Sequence, residues 1–118
     1  MSKNRIVVLA ISVATAALLV ALPATAKRQA TTVTVTEGIP EFAIKLSAKS
    51  VKAGPVTFKV VNKGNLPHDF KIAGKKTKLI SPGGSATLSV TLKKGKAPYE
   101  CAVSGHAAAG MKGVLTVA

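Results

Sequence analysis

Val56-Thr57-Phe58-Lys59-Val60-Val61-Asn62 is the stretch from which the fold can be read. Successive side chains of an extended chain point to opposite faces. Val56, Phe58 and Val60 therefore share one side, and Thr57, Lys59 and Val61 the other. Residues 86–92 repeat the pattern, with Ala86, Leu88, Val90 and Leu92 opposed to Thr87, Ser89 and Thr91. Upstream, residues 31–36 alternate Thr and Val, and Phe42, Ile44 and Leu46 alternate with Ala43 and Lys45. Residues 68–72, 98–101 and 114–117 read as further short strands, and residues 76–80 as a strand or a loop. Lys52-Ala53-Gly54-Pro55, Asn62-Lys63-Gly64-Asn65, Ser81-Pro82-Gly83-Gly84 and the polar run around Gly95 supply the breaks between them. No segment after residue 30 sustains a helical apolar period. Short strands at such spacing predict an all-β sandwich or barrel.

The N-terminal residues have a different character. Lys3 and Arg5 precede an apolar run over residues 6–22, interrupted only by Ser12 and Thr15, and Pro23-Ala24-Thr25-Ala26 follows. A charged start, an apolar middle and a small-residue end form the order of a secretory signal helix. The expected organisation is a signal peptide over residues 1–26 and one domain over residues 27–118. The alternative is an uncleaved anchor, for which the apolar run is short against the roughly 20 residues of a membrane span. Membrane attachment follows only if the leader is kept. Either way the body lies in the periplasm or outside the cell.

Charge narrows the partners. Of 17 basic residues only Lys3 and Arg5 fall in the leader, and the four acids, Glu37, Glu41, Asp69 and Glu100, all lie in the body. Such an excess attracts anionic partners. With one Tyr, three Phe and no Trp there is no stacking platform for bases, and the lysines are spread over the strands rather than gathered on a helix. Nucleic acid is therefore excluded as the expected partner, and the lysines read first as a solubilised β surface with protected edges.

A lone cysteine in an exported chain calls for a reason. Tyr99-Glu100-Cys101-Ala102-Val103-Ser104-Gly105-His106-Ala107-Ala108-Ala109-Gly110-Met111-Lys112-Gly113 places Cys, His and Met at equal spacing in a loop of small residues between two strands. His68 opens a strand further upstream. These are the one Cys, both His and the one Met besides the initiator. Each alone reads as something ordinary: a buried small side chain, a strand histidine, a loop histidine, a core methionine. Together they are a thiolate, two imidazoles and a thioether, the soft-and-borderline set that selects copper and suits both of its oxidation states. A bound thiolate is also withheld from disulfide chemistry. A Cys-His-His set could bind zinc, but no base is positioned beside it. A Cys–His nucleophile lacks an orienting partner. No catalytic residues and no enzyme activity are expected. Asp69 and Glu100 read as solvated strand positions or as hydrogen-bond partners of the loops.

Tyr-x-Cys-x4-His-x4-Met-x-Gly, with the upstream Asn65-Leu66-Pro67-His68-Asp69-Phe70, resembles the cupredoxins, the small blue copper proteins of plastocyanin and azurin type. The resemblance runs over residues 31–118. It implies a Greek-key β-sandwich of about seven or eight strands, with one copper ion at one end. It also implies His68 and His106 as imidazole ligands, Cys101 as the thiolate and Met111 as the axial ligand. Both inter-ligand gaps hold four residues, which matches neither plastocyanins nor azurins, and Asp69 stands where Asn is frequent. The function implied is that of an exported monomeric carrier of single electrons, docking an acidic redox protein at an apolar surface near His106. That surface is formed by Ala102, Ala107, Ala108 and Ala109 with Leu66 and Pro67. The alternative is a protein that stores, delivers or senses copper; a zinc-binding or structural wall module is a third reading.

Overall fold

The computed structural model describes residues 12, 14–17 and 30–118. The signal helix expected over residues 1–26 falls, but for residues 12 and 14–17, outside them. The body folds as nine strands: β1 (Thr31–Glu37), β2 (Ile44–Leu46), β3 (Ser50–Val51), β4 (Gly54–Asn62), β5 (Lys71–Ile72), β6 (Lys75–Lys76), β7 (Ser85–Leu92), β8 (Gly95–Glu100) and β9 (Lys112–Val117). They form two sheets, in the orders β2-β1-β4-β7 and β3-β9-β8-β5-β6. Among the described residues the chain is all-β and a sandwich, as the alternation predicts. The two-residue strands β3 and β6 bring the number above that expected.

The long strands follow their sequence patterns. In β4, Val56, Phe58, Val60 and Asn62 are buried while Lys59 is exposed. In β7, Val90 and Leu92 are buried and the alternate Thr and Ser positions exposed. β4 pairs antiparallel with β7 and parallel with β1. The apolar faces close on each other through Phe58, Phe70 and Tyr99, whose ring centroids stand 5.2 and 5.7 Å apart along the series. A fully buried Phe contributes about 1.5–3 kcal/mol by leaving water, and Phe58 and Phe70 are both fully buried.

Four sequence expectations change in the folded chain, one being that Gly95 and Lys96, read as part of a turn, already pair with Val117 and Thr116 in β8. Phe42 does not belong to β2; it lies in a turn before it and is 39% exposed. The turn at residues 52–55 is shorter than read, because Gly54 and Pro55 already pair with Leu92 and Thr91. His68 does not open a strand; it forms a single bridge to Ile80, and β5 begins only at Lys71. Between β5 and β6 the hairpin turns through Ala73 and Gly74, both with positive φ (50° and 75°), as a two-residue type I′ turn demands.

Two strands aim their inward faces at one end of the sandwich. Along β1, Val33, Val35 and Glu37 are buried. Along β8, Ala97 is buried and Tyr99 half-buried, and the next inward position is Cys101, fully buried. The period that builds the core thus delivers a carboxyl and a thiol to its edge.

Candidate metal centre

The Cys101 Sγ, His68 Nδ1 and His106 Nδ1 atoms converge. The two Nδ1 atoms are 3.1 Å apart, and Sγ lies 3.6 Å from Nδ1 of His106 and 4.0 Å from Nδ1 of His68. Among the described residues this is the one group of three His, Cys, Asp or Glu donors close enough to share an ion. The spacing can be compared with what an ion requires. With contacts of about 2.0–2.1 Å to nitrogen and about 2.3 Å to sulfur, trigonal angles separate the nitrogens by about 3.6 Å and nitrogen from sulfur by about 3.8 Å. The two nitrogen–sulfur separations bracket the trigonal value, and the two nitrogens stand about 0.5 Å closer than it. All three donor atoms lie within 4.8 Å of one another, close enough to share one ion.

Backbone bonds hold the loop that carries three of the four predicted residues. The Cys101 amide donates to the Met111 carbonyl (3.0 Å), and the Met111 amide to the His106 carbonyl (3.1 Å). The His106 amide donates to Val103, and Ala109 to Gly105. Small residues at 105 and 107–110 permit this tight winding, with Gly105 and Gly110 at φ of 81° and 124°. Met111 is fully buried and its backbone is bonded to both Cys101 and His106.

His68 is held differently. Asn62, buried at the end of β4, donates from Nδ2 to the carbonyls of Leu66 (2.8 Å) and Ile80 (2.9 Å) and accepts from the Gly64 amide (2.9 Å). It thereby sets the loop leading to His68, whose amide and carbonyl both bond Ile80. The His68 ring is fully buried, and its Nε2 lies 2.9 Å from Glu41 Oε1. Glu41 also accepts from the amides of Asn65 and Leu66, at 2.8 Å each. These bonds, the Asn65 amide foremost, hold its carboxyl below the usual carboxylate range, against a smaller opposing effect of burial.

Of the two expectations for Asp69, a solvated strand position or a hydrogen-bond partner of the loops, the second holds. Asp69 is 6% exposed, accepts a hydrogen bond from the Ala102 amide, and donates its own amide to Cys101 Sγ (3.5 Å). Burial pushes the Cys101 thiol above its ordinary value, partly offset by hydrogen bonds from the Asp69 and Val103 amides. Below the site lies Glu37, fully buried, with neither carboxyl oxygen hydrogen-bonded among the described residues. Burial first, and the charge of Asp69 second, push its pKa up to about 8. His106 reaches the surface, with Phe42 packed edge-on against its ring at 5.2 Å and 71°.

The model of the cupredoxin-like domain matches residues 6–117. The chain belongs to this family. The cupredoxin fold is also found in solved structures similar to this one. Reduced auracyanin from Roseiflexus castenholzii superposes with a TM-score of 0.62 at 23% identity, over 75% of this chain and 98% of that one. Auracyanin A, a blue copper protein from Chloroflexus aurantiacus, gives 0.62 at 17% identity, over 76% and 100%. Rusticyanin from Thiobacillus ferrooxidans gives 0.62 at 22% identity, over 74% and 76%. At these identities the likeness speaks for the fold. No curated protein matches the chain by sequence.

Sequence reasoning on this cupredoxin singled out four residues. Three are brought to one point by their donor atoms, and Met111 is buried in the same loop. It missed Glu41 and Asn62. Glu41 lies three residues before β2 and carries no local mark of its role in the sequence. Asn62 carried a faint signal, since it continues the buried face of β4 and a polar residue there needs internal partners.

Proposed function

We propose that this chain binds one copper ion through His68, Cys101, His106 and Met111 and carries single electrons outside the cytoplasm. The observation that carries the reading is the convergence of the thiol and two imidazole nitrogens within 3.1–4.0 Å of each other. Copper supplies the one-electron chemistry when bound, because thiolate and thioether favour Cu(I) while imidazole tolerates both states. The residues of the chain supply the rest. Backbone bonds across residues 101–111, the Asn62 amide and the Asp69 carboxylate hold the donors in one geometry, so little reorganises between oxidation states. Membership of the cupredoxin family supports this reading.

Electrons leave or enter at the His106 edge. Phe42, Leu66 (40% exposed) and the exposed Ala108 and Ala109 make the surface there apolar, and the strongly basic body favours an acidic redox protein over a neutral one. The working form is residues 27–118, a monomer released by cleavage after Ala26 into the periplasm or the exterior. The test uses that form with Cu(II). An intense visible band from thiolate-to-copper charge transfer, lost in Cys101→Ser, supports the reading; a colourless protein refutes it. A reversible one-electron wave in voltammetry separates a carrier from a copper store.

A further inference from the structure

Glu41 contributes no donor to the convergent set, yet it touches a member of it. Its Oε1 sits 2.9 Å from His68 Nε2, the ring nitrogen facing away from Cys101 and His106. A carboxylate accepts and cannot donate, so Nε2 carries the proton and Nδ1 presents its lone pair to the other two donors. The carboxylate is itself held from two sides, by the Asn65 amide on Oε2 and the Leu66 amide on Oε1. Its side chain is only 23% exposed while the His68 ring is fully buried, so water screens the charge incompletely. His106 differs, having the Phe42 ring at its edge. The two imidazoles of one site therefore stand in unlike electrostatic settings.

We propose that Glu41 is a positioning residue that locks His68 in its ligating tautomer and, by its fixed negative charge behind the ring, biases the bound couple toward the oxidised state. A hydrogen-bonded carboxylate raises the basicity of a ligating imidazole and orients it. The oxidised ion carries one more positive charge than the reduced ion, so it gains more from that charge. This rests on the copper reading above. The potential of this protein is thus set in part by a residue 27 positions before the ligand it supports.

The experiment compares the copper-loaded wild type with Glu41→Gln, which keeps an acceptor for His68 and removes the charge. The preference for Cu(II) over Cu(I) falls about tenfold in the variant, read by voltammetry as a rise of 59 mV for one electron, with the charge-transfer band retained. A change of less than fivefold overturns the inference. A wild type without the band overturns the copper reading instead, so the two failures are distinguishable. A second measurement needs neither variant nor metal: nitrogen-15 imidazole spectra of the metal-free wild type should report His68 as the Nε2–H tautomer. The Nδ1–H tautomer there overturns the positioning role.

Discussion

Asp69 Oδ1 accepts the Ala102 amide at 2.6 Å, across 33 residues of sequence, and so joins the segment bearing His68 to the segment bearing Cys101. The bond does the fastening that an amide side chain at this position could also do. Since the acceptor is an ionisable carboxyl, the contact is of the stronger, charge-assisted kind. Asp69→Ala should lower the stability of the metal-free protein by about 1.5–3 kcal/mol, and Asp69→Asn, which keeps an acceptor, by less than half of that. Urea denaturation of the three proteins measures both.

Glu37 makes stability fall with rising pH. In the unfolded chain its carboxyl loses its proton near 4.5, whereas in the fold burial holds the proton until about 8. Between those values the folded state binds more protons than the unfolded one, so its stability decreases as pH increases. Glu37→Gln removes this dependence. Its advantage over the wild type should grow between pH 5 and pH 8 by an amount on the order of a few kcal/mol. Denaturation midpoints at pH 5, 6.5 and 8 are the check, and parallel curves for the two proteins would contradict it.

Gly38, at φ of 90°, crosses Gly64 so closely that a Cβ at position 38 would fall on the Gly64 backbone. Gly64 belongs to the loop that Asn62 braces ahead of His68, so the crossing sets the height of that loop. Gly38→Ala combines a left-handed backbone with a backbone clash and should cost about 2–4 kcal/mol. It should also weaken metal retention, measured by competition with a chelator.

Burial keeps Cys101 as a thiol in the metal-free protein, and a metal ligand must be a thiolate. Loading at pH 7 should therefore release about one proton per ion, visible as a dependence of the calorimetric binding heat on the ionisation heat of the buffer. Cys101→Ser should release none. Bound metal stabilises by about 4 kcal/mol at a free concentration a thousandfold above its dissociation constant, so chelation should lower the melting temperature.

The period-2 patterns of residues 56–62 and 86–92 are local, and a strand's choice of faces depends on little else; β4 and β7 were legible for that reason. So was the loop of Cys101, His106 and Met111, whose donors are close in sequence and whose small neighbours permit a tight turn. The convergence of His68 with them is of another kind. It depends on β4 pairing with β1 in parallel and β7 in antiparallel, on Asn62 setting the loop that follows, and on the bridge to Ile80. Glu41 and Glu37 are further cases. Alone, each is one acid among four. Glu37 is buried because β1 runs one residue past its Thr/Val alternation, and Glu41 meets His68 because a turn carries it across to the loop of Asn65 and Leu66. The amino-acid sequence by itself determined the strands, the donor types and their local spacing, since these follow from short-range geometry. Only the tertiary structure decided which carboxyls face the site and which nitrogen of His68 points at Cys101 and His106, because those depend on contacts between segments 25 or more residues apart.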